Sequence, residues 1–281
     1  MQVFLMPNLE KENAPYCIWR AADVLSTNGA QVLVEEKYAA LCGGAPVTVC
    51  TLQEALARCD VLIAIGGDGT MLRCASYAVR NNKPLLGINA GRLGFMTGVE
   101  ADALDSLARL VTGNYRTDRR MLLDCIRHTK DGEEHYLALN EAVISNAGIS
   151  RMIEVELYTS ESDPISYRAD GLILFTPTGS TAYALSAGGP LIEPNVNCIG
   201  VTAICPHSLT ARPVLFAPDK VLFVRAADAN RSPVYLTVDG DQGTMLDPGD
   251  FIEVRQSEQV LQLISLSDSG FYETLRRKFK I

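Results

Sequence analysis

Three glycines and one aspartate occupy four consecutive positions, Gly66 to Gly69, directly after an apolar run. Glycine has no Cβ atom, so a backbone built from these residues can approach a phosphate closely. If a helix follows the turn, its first N–H groups are unpaired and face an anion. The segment therefore predicts a phosphate-binding turn, with Gly66, Gly67 and Gly69 as its candidate contacts.

Asp68 is the unexpected residue of this turn, because a carboxylate repels phosphate. An acid beside a phosphate site can act as a general base on an attacking hydroxyl, or it can hold Mg²⁺. Alternatively, Asp68 only shapes the turn, since Asp-Gly is a common turn pair. The stretch by itself supports the chemical and the structural role equally.

The elements around this turn predict a Rossmann-like α/β domain over residues 1–115. The apolar run 61–65 is typical of a strand buried on both faces, and the apolar spacing over 71–80 predicts a helix. Alternation of strands and helices on this scale predicts a parallel sheet covered on both faces. Thr51 and Glu54 have the spacing of a capping box. Further strands are predicted at 2–6, 31–35 and 84–88, and further helices at 10–28, 51–59 and 103–111.

Residues 116–265 are predicted to form a β-rich, sandwich-like domain. Ile153, Val155 and Leu157 alternate with two glutamates, which is typical of a sheet with one wet face. Strands are predicted at 121–126, 136–145, 152–157, 171–175, 200–205, 220–226, 234–238 and 251–255, with one helix around 181–187.

The segment 266–281 is predicted to be a helix. Phe271, Leu275 and Phe279 lie on one stripe of it at helical spacing. A single helix cannot bury such a stripe alone, so we expect this helix to pack back on the first domain.

Polar stretches of the second half could contact a ligand. The amide of Asn140 presents a donor and an acceptor, which match the edge of an adenine. Read alone, however, Asn140 and Glu141 are better explained as the solvated end of a strand. Asp170 could accept hydrogen bonds from ribose hydroxyls, although an ordinary surface pair with Arg168 explains it equally well.

The densest polar stretch extends from Thr176 to Tyr183, where small hydroxyl residues and glycine precede the predicted helix. Such a turn can bind an anion or a hydroxyl group. Tyr183 adds a ring face for a base or a ribose. The last polar stretch, 238–243, is most simply a β-turn.

The composition excludes several classes of protein. A formal net charge of −8 argues against a nucleic-acid-binding protein, and no apolar run approaches the length of a membrane span. The N-terminus has no basic region before its short apolar run, so we expect a first strand and not a signal peptide. The eight cysteines, such as Cys205, are expected to be buried thiols in a reducing cytoplasm. With three histidines and no metal-ligand spacing, a zinc site is not expected.

In their order and spacing, these motifs resemble those of the NAD kinase family. The resemblance rests on the glycine turn 66–70, on Asn140-Glu141 and on 179–183, and it covers nearly the whole chain. The glycine turn is shared with lipid and sugar kinases, whereas the other two motifs single out NAD kinases. The segments 89–95, 206–213 and 239–240 are also similar to that family.

This resemblance implies phosphorylation of the adenosine ribose 2′-hydroxyl of NAD, with ATP or polyphosphate as donor, to give NADP. Asp68 would be the general base, and the Gly66–Gly69 backbone would hold the donor phosphate together with Mg²⁺. Arg73 matches a basic family position near the phosphates, and Phe95 matches a pocket-lining aromatic residue. The positions implied to hold NAD are Asn140, Glu141, Arg151, Arg168, Asp170, Thr181, Ala182, Tyr183 and Ser186, with Gln242 as a looser match.

Two of these positions depart from the family pattern. The family glutamine usually follows Asp-Gly directly, whereas Asp241 intervenes before Gln242 in this chain. Arg168 stands where many members have lysine, which keeps the charge but not the geometry. The resemblance further implies an active site between an α/β and a β-rich domain, and a homodimer or homotetramer.

Two other functions remain open from the sequence. A lipid kinase of the diacylglycerol or sphingosine type shares the glycine turn, but it needs a basic or amphipathic membrane-facing surface that this acidic chain does not show. A non-catalytic NAD-binding sensor would keep the pocket and lose the chemistry. The intact glycine turn and Asp68 argue against the sensor.

Overall fold

The computed structural model describes residues 1–91, 94–146, 152–230, 232–267 and 270–280. The chain divides into two compact units. Unit 1 consists of Met1–Arg119 and Leu261–Ile281, and unit 2 consists of Arg120–Val260. Each unit has its own core of buried apolar side chains. Unit 1 is therefore assembled from two segments of the chain, and unit 2 from one.

Strands and helices alternate along the first segment of unit 1, as the sequence predicts. Its strands are β1 (Gln2–Pro7), β2 (Gln31–Glu35), β3 (Val47–Cys50), β4 (Val61–Gly66), β5 (Leu85–Asn89) and β6 (Val99–Glu100). Its helices are α1 (Ala14–Thr27), α2 (Glu36–Ala39), α3 (Leu52–Arg58), α4 (Asp68–Arg80) and α5 (Ala108–Val111).

The sheet of unit 1 is parallel, and its strand order reverses beside β1. Strand β1 pairs with β2 on one side and with β4 on the other. Strand β3 continues beyond β2, and β5 continues beyond β4. In open α/β sheets, ligands bind outside the carboxyl ends of the strands at such a reversal.

Local signals account for most of these elements. The capping box of α3 is confirmed: Thr51 Oγ1 accepts the N–H of Glu54, and the Glu54 carboxylate accepts the N–H of Thr51. Helix α4 begins at Asp68, three residues before the predicted start, because the second half of the glycine turn already forms the first turn of the helix. The predicted helix 103–111 instead begins as a 3₁₀ turn, Leu104–Leu107, before α5.

The β-rich second half is also confirmed, with a single short α-helix, α6 (Tyr183–Ser186), preceded by a 3₁₀ turn, among the described residues of unit 2. Two long strands, the first and the last of this half, carry the chain between the units. The strands are β7 (Arg116–Thr129), β8 (Gly132–Ala138), β9 (Glu141–Asn146), β10 (Ile153–Thr159), β11 (Ile165–Ala169), β12 (Gly171–Phe175), β13 (Ile199–Ile204), β14 (Val214–Phe216), β15 (Leu222–Ala226), β16 (Val234–Val238), β17 (Thr244–Leu246) and β18 (Phe251–Ser265).

Unit 2 is an antiparallel sandwich. One layer has the strand order β14-β13-β12-β9-β16-β17, and the other contains β11-β10-β15-β18 with the hairpin β7-β8. Val155 and Leu157 in the second layer belong to the same buried cluster as Leu172 and Leu174 in the first. The core of unit 2 therefore lies between its two layers, as the alternating pattern of β10 predicts.

The chain returns to unit 1 at the end of β18. Leu263 and Ile264 pair in parallel with Leu85 and Leu86 of β5, and so extend the sheet of unit 1. The sequence predicted only 251–255 of this strand. The polar run 256–259 separates its two apolar parts and hides their continuity.

The last helix, α7 (Phe271–Phe279), packs on the first segment of unit 1, as predicted. Leu275 is buried, and the rings of Phe271 and Phe279 lie 6.5 and 6.2 Å from the ring of Phe95, measured between centroids. Two residues of the predicted stripe thus lie against Phe95 of the first segment of unit 1, and the third is buried.

Two further sequence expectations differ from the structure. Cys205 is exposed and not buried, because β13 ends at Ile204 and the chain turns there with a φ of 46° at Cys205. The predicted strand 136–145 is interrupted at Leu139 and Asn140, so that β8 and β9 are separate strands. Among the described residues, no helix is both long and apolar enough to cross a membrane.

Candidate active site

The carboxyl ends of three strands of unit 1 meet at one edge of its sheet. The N–H of Asn8, which follows β1, donates to the carbonyl of Ile65 in β4 at 2.9 Å. The N–H of Ala90, which follows β5, donates to the carbonyl of Gly66 at 2.9 Å. The glycine turn therefore lies between the ends of β1 and β5, at the reversal of strand order.

The glycine turn leads directly from β4 into α4. Gly67 is the N-cap of this 13-residue helix and contributes no side-chain cap to its first N–H groups. A Cβ atom on Gly66 would lie 2.2 Å from Thr70 Oγ1, so the close approach of turn and helix requires glycine at that position. The predicted strand, turn and helix N-terminus are all present, in the arrangement that binds anions.

Asp68 fastens the loop after β5 to the start of α4. Its Oδ2 atom accepts the N–H of Phe95 at 3.0 Å, and its Oδ1 atom accepts the N–H of Met96 at 3.1 Å. A Cβ atom on Gly94 would lie 2.3 Å from Asp68 Oδ1. Asp68 thus has a structural role, although it shapes a second loop and not its own turn. Its side chain remains 35% exposed, so the carboxylate is also open to a ligand.

Lys278 of α7 is a neighbour of Asp68 that sequence reasoning missed. Its Nζ atom lies 4.0 Å from Asp68 Oδ2 and 3.9 Å from the centroid of the Phe95 ring. The apolar stripe of the tail predicted that α7 would pack on unit 1. It did not identify which polar residue of the helix would reach the glycine turn.

A second group of predicted residues is gathered in unit 2 around Asp239. The Oδ1 atom of Asp239 accepts the N–H groups of Asn140 and Glu141, and Oδ2 accepts that of Leu139. Asp239 has a φ of 50° and Gly240 a φ of 77°, a conformation that aspartate and glycine tolerate better than most residues. The apparent β-turn at 238–243 therefore holds the Asn140-Glu141 segment in place.

Glu141 is a buried carboxyl group. Its burial and, to a smaller extent, the negative charge of Asp239 raise its pKa to about 7, while the N–H of Tyr183 opposes this shift. Glu141 Oε2 is buried and has no hydrogen-bond partner among the described residues. Burial also raises the pKa of Asp239, against the effect of the three N–H groups that it accepts.

Asn140 is also held by the segment that precedes α6. Its carbonyl accepts the N–H of Thr176 at 2.9 Å, and a Cβ atom on Gly179 would lie 2.1 Å from the same oxygen. Thr176 and Ser180 are fully buried: Thr176 Oγ1 accepts the N–H of Gly179, and Ser180 Oγ accepts that of Ile192. These two hydroxyls therefore shape the turn and are not directed to solvent.

Family models match both halves of the chain. The model of the ATP-NAD kinase N-terminal domain matches residues 5–115, and that of the ATP-NAD kinase C-terminal domain matches residues 139–266. The chain belongs to the NAD kinase family. The predicted resemblance is thereby confirmed.

Individual relatives in this family align over almost the whole chain. The NAD kinase of Symbiobacterium thermophilum is 39% identical over 273 residues, which cover 95% of each chain. The NAD kinase of Caldanaerobacter subterraneus is 36% identical over 279 residues, which cover 99% of this chain and 98% of the relative. These relatives are therefore enzymes of the class that the motifs of this chain predict.

Solved structures of the NAD kinase family share the fold. Yeast NADH kinase, solved in complex with NADH, superposes with a TM-score of 0.90 at 23% identity and covers all of this chain and 88% of the yeast chain. An NAD kinase from Archaeoglobus fulgidus, solved in complex with ATP, superposes with a TM-score of 0.77 at 24% identity and covers all of this chain and 99% of the other.

The remaining family positions are distributed over exposed and half-buried sites. In unit 1, Arg73 is exposed on α4. In unit 2, Thr181 ends the helical turn Gly179–Thr181, Ala182 follows it, and Tyr183 and Ser186 are the first and last residues of α6; Tyr183 is exposed. Arg168 is exposed on β11, Asp170 is half-buried between β11 and β12, and Gln242 is exposed between β16 and β17. Arg151 lies outside the described residues.

The residues of the NAD kinase motifs do not form a multi-ligand metal cage. Among the described residues, no group of three or more His, Cys, Asp or Glu side chains is arranged to hold a metal ion. Mg²⁺ in nucleotide-dependent enzymes is usually bound by one or two carboxylates together with substrate phosphates and water. The half-exposed carboxylate of Asp68 beside the glycine turn fits that kind of site.

Proposed function

We propose that the chain transfers a phosphoryl group from ATP or polyphosphate to the 2′-hydroxyl of the adenosine ribose of NAD, which yields NADP. The observation that carries the proposal is the fixed position of Asp68 at the N-terminus of α4, beside the reversal of strand order. Membership of the NAD kinase family supports the choice of reaction.

In this mechanism, Asp68 is the general base. A carboxylate can accept about four hydrogen bonds, and two N–H groups use one position on each oxygen of Asp68. The remaining positions can accept the proton of the 2′-hydroxyl. As that oxygen forms a bond to the terminal phosphorus of the donor, the bond to the bridging oxygen breaks, and the shortened donor leaves with the electron pair.

The backbone of Gly66–Gly69 and the first turn of α4 would hold the donor phosphates. Phosphoryl transfer requires mainly positioning and charge stabilisation, and little covalent chemistry from the protein. Arg73, one turn further along the exposed face of α4, would add positive charge. Phe95 would line the pocket beside Asp68. Its backbone N–H is bound by Asp68, and its ring is held by Phe271 and Phe279 of α7.

Mg²⁺ would be held by the donor phosphates together with the carboxylate of Asp68. When bound, the ion would neutralise negative charge on the phosphates. The protein's own contribution is the rigid placement of one carboxylate. Asp68 accepts hydrogen bonds from two backbone N–H groups, and these restrict the rotation of its side chain.

In unit 2, Asn140 and Glu141 would contact NAD. Their backbone is fixed by Asp239 and Thr176, so their side chains start from a preorganised position. The exposed ring of Tyr183 would stack on NAD. The other proposed contacts are Arg151, Arg168, Asp170, Thr181, Ala182, Ser186 and Gln242.

The direct test is an activity assay with the purified protein and Mg²⁺. NAD and NADH are each combined with ATP or with polyphosphate, and the product is detected with an NADP-specific dehydrogenase, after enzymatic oxidation where NADH was supplied. Formation of NADP supports the proposal, and the four combinations identify the donor and the preferred oxidation state of the substrate.

The same protein preparation tests the two other functions. Binding of NAD without turnover with either donor would favour a non-catalytic sensor. Neither binding nor turnover, but phosphorylation of diacylglycerol or sphingosine in vesicles, would favour a lipid kinase. Light scattering coupled to size-exclusion chromatography tests the proposed homodimer or homotetramer.

A further inference from the structure

The C-terminal helix α7 reaches the proposed general base through one cationic side chain. Lys278 Nζ lies 4.0 Å from Asp68 Oδ2 and 3.9 Å from the centroid of the Phe95 ring. Both distances are within the range of a direct ion pair and of a cation–π contact. Lys278 is 23% exposed, so its ammonium group is partly withdrawn from water.

These contacts form a closed circuit of three residues. Phe95 donates its N–H to Asp68 Oδ2, its ring lies under the ammonium group of Lys278, and that ammonium group faces the same Oδ2 atom. Because each member contacts the other two, a displacement of Lys278 would release two restraints, one on the carboxylate and one on the ring.

The position of Lys278 in this circuit is set by the apolar face of its helix. Phe271 and Phe279 pack on the Phe95 ring from two places along α7, and the buried Leu275 lies between them on the same face. Lys278 immediately precedes Phe279, so the packing of that ring fixes the start of the lysine side chain. The packing of α7 on Phe95 therefore places the ammonium group beside Asp68.

We propose that Lys278 is a positioning residue for Asp68 in the phosphoryl-transfer reaction. The ammonium group holds Oδ2 and the Phe95 loop in one arrangement, so that the free positions of the carboxylate face the hydroxyl substrate. This inference rests on the proposed function of Asp68 as a general base. It assigns Lys278 of the last helix, which is far from the glycine turn in sequence, a role in the reaction at that turn.

The test compares three variants of the full chain. Lys278→Met removes the charge and keeps a similar side-chain length, whereas Lys278→Arg keeps the charge. Arg277→Met is the matched control, since it removes one positive charge from the adjacent, exposed position of α7. Thermal unfolding of all three shows whether α7 remains folded on unit 1.

We expect Lys278→Met to lower kcat about tenfold or more, because small displacements of a catalytic group are costly, while the KM for NAD changes by less than about twofold. Lys278→Arg should recover most of kcat, and Arg277→Met should match the wild-type protein. Equal kcat values for Lys278→Met and Arg277→Met would overturn the proposal.

A second measurement does not depend on turnover. Hydrogen exchange of the Phe95 and Met96 amides reports whether the Asp68 carboxylate still accepts them. Faster exchange there in Lys278→Met than in Arg277→Met is expected, and equal exchange would again contradict the proposal. If the wild-type protein fails to phosphorylate NAD but this difference in exchange is present, the proposed function fails while the positioning contact of Lys278 stands.

Discussion

The Oδ1 atom of Asp239 accepts the backbone N–H of Asn140 at 2.8 Å across 99 residues of sequence. The same carboxylate also accepts the N–H groups of Leu139 and Glu141. One buried side chain therefore fixes three consecutive amides at the break between β8 and β9. Two of the residues proposed to contact NAD, Asn140 and Glu141, therefore owe their backbone position to a residue that is not itself among the proposed NAD contacts.

Asp239→Asn is expected to destabilise unit 2 and to weaken NAD binding. Asparagine tolerates the positive φ of this position, but its NH₂ group would face an N–H donor where an oxygen now accepts. The loss of stability should be about 1–3 kcal/mol, measured by urea unfolding. Asp241→Asn, at an exposed position of the same turn, is the control and should leave both quantities near the wild-type values.

Glu141→Gln is expected to change how stability depends on pH. The pKa of about 7 in the folded protein lies above that of an exposed glutamate, so the folded state binds the proton more tightly than the unfolded state. Ionisation of Glu141 therefore lowers the free energy of unfolding as pH rises from about 4.5 to about 7, and causes no further change above that range.

Unfolding of the wild-type protein and of Glu141→Gln in urea at pH 5, 6, 7 and 8 isolates this contribution, because the other titrating groups are common to both. The difference in unfolding free energy, variant minus wild type, should increase with pH by an amount on the order of 2–3 kcal/mol. A difference that stays constant across the series would show that Glu141 titrates normally.

Gly94→Ala is expected to disturb the proposed general base while leaving the sequence of the glycine turn unchanged. The new methyl group would lie 2.3 Å from Asp68 Oδ1, so that the carboxylate or the loop must move. We expect kcat to fall by roughly tenfold to a hundredfold, the scale that a misplaced catalytic group produces.

Gly91→Ala is the matched control, since among the described residues its methyl group would have only Lys11 Cδ within 4 Å, at 3.9 Å. The two substituted glycines are three positions apart in the sequence. Similar kcat values for both would mean that the contact between Gly94 and Asp68 does not matter for turnover.

Asp68→Asn is expected to reduce turnover by about 10²–10⁴-fold, the usual contribution of a general base. The variant also loses one acceptor for the N–H of Phe95 or Met96, which should lower stability by about 1 kcal/mol. Asp60→Asn controls for that loss, because Asp60 Oδ2 accepts the N–H of Gln2 in the same unit but away from the turn. Near wild-type turnover in Asp68→Asn would remove Asp68 from the catalytic role.

The parts of the fold that the sequence predicts are those set by local patterns. The apolar runs of β4 and β12, the capping box of α3 and the stripe of α7 each depend on residues within one element. Even the sandwich of unit 2 follows from alternation along single strands, because one buried face per strand requires a second layer.

The parts that could not be predicted depend on contacts between distant segments. The sequence marks Asp68 and Asp239 as polar residues in turns, but nothing local shows that each accepts backbone amides from another loop. Lys278 is one of several cations in a basic helix end, and only the packing of Phe271 and Phe279 selects it. The exposure of Cys205 likewise depends on where β13 stops.

The assembly of unit 1 from two chain segments has a consequence for biosynthesis. Strand β5 is complete at Asn89 and pairs with the earlier strand β4, but Leu263 and Ile264 of β18, which pair with Leu85 and Leu86 on the other side, emerge from the ribosome more than half the chain later. At ordinary rates of translation this delay is on the order of ten to thirty seconds. During that time Leu85 and Leu86 of β5 have no strand partner on one side, while unit 2, a single continuous segment, is being synthesised. The sheet of unit 1 is therefore completed only after the strands of unit 2 have been synthesised.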